Sequence, residues 1–377
     1  MSTSTDGREW SVPETEVMAA VESALDADEE AVLATIVGVE GSAYRRPGAK
    51  MLVTRESGVG SITAGCVEDT VVELAAAVRE DGRPRLETFD LTGDDDVWGL
   101  GVGCNGVIDI LVEPLDEGYR RVVDAYDAGT DAVVFTVVGG DHPEFAVGDR
   151  AYGVGEARPE GWSSWPSDAL ADAAADRLDR DRSETVTVAD EAGSVEVFVD
   201  AVTAPPELVV FGTGHDVAPV TELASQVDFR VTVAGFRGAD ATADRFPAAD
   251  SVRSLSPAEI RDELRLDAET YAVVMTHNFV DDSIAVDELL RSPVPYVGLM
   301  GPTERFEQMT DEWESEGRTV SAAELDRLYT PVGLDLGNGT PYGIAHSIVA
   351  EAMAVRNGRS PTHLRDRRAS IHGRTDG

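Results

Sequence analysis

Two cysteines carry the most distinctive side-chain chemistry in this chain of 377 residues. Cys66 lies in TAGCVED directly after Gly65, and Cys104 lies in GVGCNGV directly after Gly103. Glycine lets the backbone approach a ligand closely, and a thiol near the start of a helix ionises readily and becomes sulfur-reactive. The pair forms neither a C-x-x-C motif nor a closed zinc site. We predict two thiol-bearing ligand loops, with small buried packing residues as the alternative.

A strand that ends in two glycines marks a second place for chemistry. The segment LVVFGTGH contains Gly212, Gly214 and His215 and leads into a helical pattern. Such glycines let backbone N–H groups approach a phosphate at the helix N-terminus. His277 follows the apolar strand YAVVMT. Because ligands of open α/β sheets bind at the carboxyl edge, both histidines are candidates for binding, and the alternative is a hydrogen-bonded turn residue in each case.

The glycine motif is incomplete as a dinucleotide-binding signature. Val217 stands where the third glycine of G-x-G-x-x-G belongs. The second strand ends at Gly235 where an acidic residue normally binds a ribose hydroxyl, and Arg237 follows it. An arginine at this place suits an additional phosphate better than a free ribose hydroxyl. The alternative is a tight turn without a ligand.

Two adjacent arginines provide a third candidate site. Arg45 and Arg46 lie in the loop GSAYRRPGAK, beside glycines. Guanidinium groups bind phosphate and carboxylate through charge-assisted hydrogen bonds, so this loop is a candidate anion site. The alternative is a pair of surface arginines that balance nearby acids.

The order of apolar segments predicts an α/β fold with two domains. Up to residue 204 strands and helices are mixed, and Ala204-Pro205-Pro206 then interrupts the pattern. From residue 207 strands alternate with helices, which implies a parallel, doubly wound sheet. We therefore predict domains at 1–204 and 205–355 and a basic tail at 356–377. The expected strands are 31–39, 51–54, 107–115, 132–138, 185–188, 195–199, 208–211, 230–236, 271–278 and 294–301, and the expected helices include 14–26, 168–180, 216–227, 257–264, 282–291, 303–316 and 342–355.

The composition indicates a very acidic protein. The chain has 71 Asp and Glu against 31 Lys and Arg, a formal net charge of −40, and Lys50 is its only lysine. Such a fold repels itself in dilute salt, and screening at ~1 M ionic strength relieves the repulsion. We expect an acidic protein of a salt-in halophile, with an acidic protein of an ordinary habitat as the alternative.

The same features disfavour several classes of protein. No apolar run of ~18 residues predicts a membrane span, and the polar start lacks a secretory signal, so we expect a cytoplasmic protein. Two cysteines are too few for a disulfide-rich secreted scaffold. The negative charge disfavours nucleic-acid binding, and we interpret the arginine-bearing tail as a solvated chain end.

Taken together, these segments resemble the XdhC/CoxI family, the accessory proteins of molybdenum hydroxylases. The resemblance covers nearly the whole chain in the family's order and rests on several separate motifs. Lys50, Ala64, Asn105, Gly235 and Asn278 depart from the family pattern. The motifs are GSAYRRPGAKMLV, GSITAGCVEDTVVELA, WGLGVGCNGVIDILVEPL, LVVFGTGHDVAPVTELA, THN, YVGLMGP and PVGLDLGNGTPYGIAHSIVAEAMAVRNG.

The resemblance implies an N-terminal α/β XdhC/CoxI domain followed by a C-terminal Rossmann-like doubly wound domain. It implies a maturation chaperone, more a non-catalytic factor than an enzyme. Such a protein binds the molybdenum cofactor, as molybdopterin or its cytosine dinucleotide, and supports its sulfuration by a cysteine desulfurase. It then inserts the cofactor into an apo molybdenum hydroxylase such as xanthine or carbon monoxide dehydrogenase.

The expected site residues lie in the segments that carry the resemblance. A nucleotide in the Rossmann-like domain is a further expectation, and no resident metal is expected. The oligomeric state stays open, with a homodimer among the possibilities. The residues expected to bind the cofactor are Arg45, Arg46, Gly65, Cys66, Gly103, Cys104, Gly212, Gly214, His215 and His277.

Two rival functions come from other classes. The C-terminal domain alone suggests an NAD(P)-dependent oxidoreductase, although the ribose-binding acid is missing and no acid/base dyad is evident in the sequence. A metal-binding interaction protein would use Cys66, Cys104, His215 and His277. Metal content and nicotinamide absorbance would separate these rivals from the chaperone.

Overall fold

The chain divides into two compact units, Met1–Pro205 and Pro206–Gly377. The structure is a computed structural model, and it describes residues 8–92, 105–155, 159–162, 164–238, 240–337 and 339–366. Gly103 and Cys104, with the segment before them, lie outside the described residues.

The first unit is built on a six-stranded and a four-stranded sheet. The six-stranded sheet, sheet A, has the order β1-β4-β3-β2-β6-β5 and is antiparallel except where β1 joins β4. Its members are β1 (Arg8–Glu9), β2 (Val32–Ser42), β3 (Lys50–Val53), β4 (Gly58–Gly60), β5 (Arg85–Asp90) and β6 (Asn105–Pro114). The helices α1 (Glu14–Asp26), α2 (Glu68–Asp81) and α3 (Arg120–Asp127) accompany it.

The four-stranded sheet, sheet B, is antiparallel and has the order β8-β7-β10-β9. Its strands are β7 (Ala132–Gly140), β8 (Arg150–Val154), β9 (Glu184–Ala189) and β10 (Ser194–Val202), and α4 (Ser164–Arg180) packs on it. A small apolar cluster of Val37, Leu111, Val138 and Phe198 links strands of both sheets. The ion pair between Lys50 and Asp200 also joins the sheets, at 2.7 Å with both side chains buried.

The second unit is a parallel six-stranded sheet, sheet C, with helices on both faces. Its order β13-β12-β11-β14-β15-β16 is that of a dinucleotide-binding fold, in which the strand order reverses between the first and fourth strands. The strands are β11 (Glu207–Phe211), β12 (Arg230–Gly235), β13 (Ser251–Ser254), β14 (Thr270–Val274), β15 (Tyr296–Leu299) and β16 (Leu328–Tyr329). The helices are α5 (Val217–Ser225), α6 (Ile260–Glu263), α7 (Phe279–Leu290), α8 (Thr303–Ser315), α9 (Ala322–Leu325) and α10 (Pro341–Arg356).

The α/β fold class with a parallel C-terminal sheet is confirmed, and the elements differ from expectation mainly at their ends. The fourth strand of sheet C stops at Val274, so His277 lies in the loop after it. The helix expected at 257–264 is a 3₁₀ turn over Pro257–Glu259 followed by one α-turn. The strands β1, β4, β5, β8, β13 and β16 were not expected from the sequence, because most are short or only partly buried.

Candidate functional site

The loop that carries Cys66 is held by hydrogen bonds at the start of α2. The carboxylate of Glu68 accepts hydrogen bonds from the Thr63 N–H at 2.7 Å, the Thr63 hydroxyl at 2.6 Å and the Val67 N–H at 3.1 Å. The Thr63 oxygen in turn accepts the Cys66 N–H at 2.9 Å. Glu68 is buried, so these bonds replace the water it loses and fix the loop before the helix.

Cys66 lies two residues before α2 and is half-buried. Its side chain packs against the apolar core beneath the helix. Gly65, directly before it, has a left-handed backbone with φ of 107°, and a Cβ built there would meet no atom within 4 Å. The glycine is therefore required by the backbone conformation and not by crowding, and the loop is open beside Gly65.

One arginine of the predicted anion site is paired with a carboxylate of the protein. Arg45 forms an ion pair with Glu14 at the start of α1, and Arg46 is exposed. A phosphate at this loop would therefore compete with Glu14 for Arg45. Glu14 was not singled out in the sequence, because one acid among 71 carries no signal of its own.

The second candidate site lies at the carboxyl edge of sheet C, where β11 and β14 are neighbours. Gly212 has φ of 148°, and a Cβ there would lie 2.6 Å from the carbonyl oxygen of Met275. Its N–H donates to the carbonyl of Ala234 at 3.0 Å. Only glycine permits this close approach of two strand ends, so Gly212 shapes the edge itself.

A histidine–aspartate pair occupies the same edge. His277 Nε2 lies 2.8 Å from Asp216 Oδ2, and His277 has a left-handed backbone with φ of 60°, which is uncommon for a non-glycine residue. A Cβ on Gly214 would overlap Asp216 Oδ1, so this glycine leaves room for the pair. Asp216 begins the turn into α5, and the structure thus contains an acid/base dyad that sequence reasoning missed.

Neighbouring polar groups hold the loop that carries His277. Asn278 caps α7 by accepting from the N–H groups of Val280 and Asp281, both at 3.1 Å. The Thr276 hydroxyl donates to buried Asp282 at 2.5 Å. The residues directly before and after His277 are therefore fixed by hydrogen bonds, while His277 itself is exposed. His215 is also exposed, in the turn before α5.

The arginines at this edge are engaged with acceptors of the protein. Arg237 contacts Asp281 at 3.1 Å, and Arg245 donates to the carbonyl of Thr213 at 2.7 Å. A phosphate bound by Arg237, as expected from the sequence, would therefore compete with the carboxylate of Asp281. Gly214, Asp216 and His277 converge at this edge, and His215 lies in the same turn region without a contact that places it in the pair.

The described part of the chain contains neither a cluster of metal ligands nor a helix that could cross a membrane. Within it, no three His, Cys, Asp or Glu side chains lie together as a metal site requires. Its helices are all too short or too polar to cross a membrane.

Comparison with known proteins assigns the family. Residues 24–90 match the XdhC and CoxI family, and residues 208–352 match the XdhC Rossmann domain. A protein of Bacillus subtilis, described as a probable subunit of xanthine dehydrogenase, is 30% identical over 342 residues, which span 89% of this chain and 96% of that protein. The chain belongs to the XdhC and CoxI family.

Two further proteins are similar to the chain. A crystal structure from Bacillus halodurans, described as a xanthine dehydrogenase, has a TM-score of 0.73 and 29% identity over 91% of this XdhC/CoxI chain and 96% of that one. The uncharacterized Escherichia coli protein YqeB is 26% identical over 182 residues, 48% of this chain and 33% of its own length. Cys66 lies inside the first matched segment, and Gly212, Gly214, His215 and His277 lie inside the second.

Proposed function

We propose that this protein is a cytoplasmic accessory factor that carries the molybdenum cofactor as cargo to an apo molybdenum hydroxylase of the xanthine dehydrogenase type. The observation that carries the proposal is the match over 96% of a relative described as a probable subunit of xanthine dehydrogenase. In the proposal the protein also presents the cofactor to a cysteine desulfurase for sulfuration before delivery.

The site geometry supports a carrier with two binding regions. The Cys66 loop offers a half-buried thiol directly after Gly65, beside which there is open space, and a thiol suits a sulfur-handling cargo. The carboxyl edge of sheet C is the place where doubly wound domains bind nucleotides, which suits the dinucleotide form of the cofactor. In the proposal, molybdenum arrives already bound to its pterin.

The test is identification of the cargo. The protein is produced in a host supplied with molybdate, purified in high salt and extracted, and the extract is examined for pterin. A parallel preparation without molybdate is the control. We expect pterin in the first preparation and activation of an apo-hydroxylase on mixing; absence of both would contradict the proposal.

A second candidate function is an NAD(P)-dependent oxidoreductase. Sheet C has the strand order of dinucleotide-binding domains, and Asp216 and His277 form an acid/base pair at its edge. Against it, Gly235 replaces the acid that would bind the ribose. A change of nicotinamide absorbance with candidate substrates, lost in His277→Gln, would favour this function over the carrier.

A further inference from the structure

A cavity in the first unit is lined partly by the Cys66 loop and partly by Trp10, Tyr44 and Asp69. It has a volume of about 330 Å³ and lies between the end of β1, the loop after β2 and the loop before α2. This volume is at the lower end of the range for small-molecule pockets, so a bicyclic ring is of suitable size. Its lining includes Trp10, Tyr44, Thr63, Gly65, Glu68 and Asp69.

Two aromatic side chains give the cavity flat apolar faces. Trp10 follows β1, which pairs with β4, and its ring lies 3.6 Å from where a Cβ on Gly58 would be. The indole therefore lies close over the backbone of Gly58, at ordinary van der Waals distance. Tyr44 is 61% exposed, which leaves most of its ring surface open to a ligand. Planar heterocycles stack on such faces.

Carboxylates give the cavity its polar character. Glu68 is 4% exposed, and its three hydrogen bonds occupy three of about four acceptor positions of a carboxylate. Asp69, the next residue, is exposed and lines the same cavity. Two acids repel a phosphate but accept N–H groups, so this cavity selects a planar ring that is rich in donors and not an anion.

We infer that the cavity binds the amino-pyrimidine edge of a pterin ring, stacked between Trp10 and Tyr44 and hydrogen-bonded to Asp69. The choice of a pterin among donor-rich heterocycles rests on the proposed function. A pterin presents an amino group and a ring N–H side by side, and a carboxylate accepts both. Cys66 follows Gly65 of the lining, so a ring bound here lies next to the thiol loop.

The test uses the full chain and two free heterocycles. Wild type is titrated with pterin and with lumazine, the same bicycle with an oxo group in place of the amino group, and ligand fluorescence is followed. We expect lumazine to bind about tenfold more weakly, because one donor to the carboxylate is lost. Absence of pterin binding, or equal binding of both compounds, overturns the inference.

Variants at exposed positions assign the binding to this cavity. Tyr44→Ala and Asp69→Asn should each weaken pterin binding about tenfold. Asp69→Asn should also reduce the difference in affinity between pterin and lumazine. Tyr342→Ala, an exposed tyrosine of the second unit, and Glu73→Gln, an exposed acid of α2 outside the lining, are matched controls and should bind as wild type. Unchanged affinity in both cavity variants overturns the inference.

The same preparations separate failure of the cavity from failure of the carrier. If Tyr44→Ala and Asp69→Asn retain the wild-type load of copurified cofactor, the cavity is not the site although the carrier function stands. Suppose instead that wild type binds free pterin and that the two cavity variants weaken this binding as expected, but that wild type carries no cofactor and activates no hydroxylase. The cavity is then a pterin site, and the proposed carrier function is wrong.

Discussion

At the scale of single residues, Cys66 combines two properties that sequence alone leaves as alternatives. It packs against the apolar core, as free cysteines usually do, and it also lies in a loop with open space at Gly65. Packing therefore does not exclude a chemical role. The loop bonds that hold it come from Thr63 and Glu68, which are unaltered when only the thiol changes.

This arrangement predicts that Cys66→Ala lowers the cofactor load while the protein stays folded. Cys66→Ser should not restore the load, because a hydroxyl does not ionise at neutral pH. We expect a smaller or equal loss in Cys104→Ala, whose surroundings lie outside the described residues. The measurement is bound cofactor per folded chain. Full occupancy in the double Ala variant would show that neither thiol is needed.

Gly212 and Gly214, at the edge of sheet C, are glycines for different physical reasons. We therefore expect their alanine variants to behave differently. Gly212→Ala places a Cβ against the backbone oxygen of Met275 and puts alanine in the left-handed conformation of Gly212. We therefore expect the free energy of unfolding to fall by about 1–3 kcal/mol. Gly214→Ala displaces a side-chain oxygen of Asp216, which can rotate away, so stability should change little.

The Gly214 variant should instead break the bond between Asp216 and His277 and weaken binding of a nucleoside monophosphate. Urea unfolding measures the stability of both variants, and the imidazole N–H signal of His277 in NMR spectra measures the loss of the bond. Equal destabilisation by Gly212→Ala and Gly214→Ala, with the imidazole signal retained, would contradict the distinction.

At the scale of elements, the short helix α9 depends on one carboxylate. Ser321 accepts the N–H of Glu324 at 3.3 Å, and Glu324 accepts the N–H of Ser321 at 2.8 Å, which together form a capping box. Arg318 donates to Glu324 at 2.5 Å and to Asp287 of α7 at 2.8 Å. The hydrogen bond from Arg318 lowers the pKa of Glu324 from 4.5 to about 2.

A lowered pKa in the folded state means that this carboxylate stabilises the fold above pH 4.5 and that the stabilisation is lost as the pH falls towards 2. We expect Glu324→Gln to lower the unfolding free energy by about 1–2 kcal/mol near neutral pH, after allowance for solvent screening. The difference between wild type and variant should shrink steadily below pH ~4. Urea unfolding at several pH values measures it; a difference independent of pH would contradict the role of the charge.

Elements were predictable from the sequence where burial is complete. The central strands of sheet C are continuous apolar runs buried on both faces, as parallel sheets require. The ends of β11 and β12 were expected to within one residue, whereas β14 ends at Val274, before the expected residue 278. By contrast, β5 is largely exposed and β1 has two residues, so neither produces a periodic pattern. The two sheets of the first unit depend on long-range pairing, which no local pattern encodes.

Residues of the candidate sites could be predicted from the sequence where they directly follow a strand. Gly212, Gly214 and His277 follow two apolar strands, and a parallel sheet brings such ends to one edge. Asp216 was missed because an acid beside a glycine turn is unremarkable in a chain this acidic. Trp10 and Tyr44 were missed because their cavity forms only when β1 pairs with β4.

At the scale of the whole molecule, the charge is more one-sided at the surface than the composition suggests. Lys50, the only lysine, is 6% exposed and paired with Asp200 inside the first unit. The exposed surface therefore has no lysine, and many of its arginines are engaged in local ion pairs, such as Arg318 with Glu324 and Arg120 with Asp26. The excess of acids is left to repel itself through solvent.

We therefore predict that stability rises with salt and that most of the rise occurs at low concentration. The screening length falls from about 10 Å at ~0.1 M to about 3 Å at ~1 M, so the repulsion is largely removed by ~1 M. Thermal melting is measured from ~0.1 M to ~3 M sodium chloride, with sucrose as a control, because sucrose stabilises compact states by exclusion without screening charge. A melting temperature that is flat below ~1 M, or that sucrose raises equally, would contradict the screening argument, since screening of net repulsion should raise the melting temperature in that range and sucrose does not screen charge.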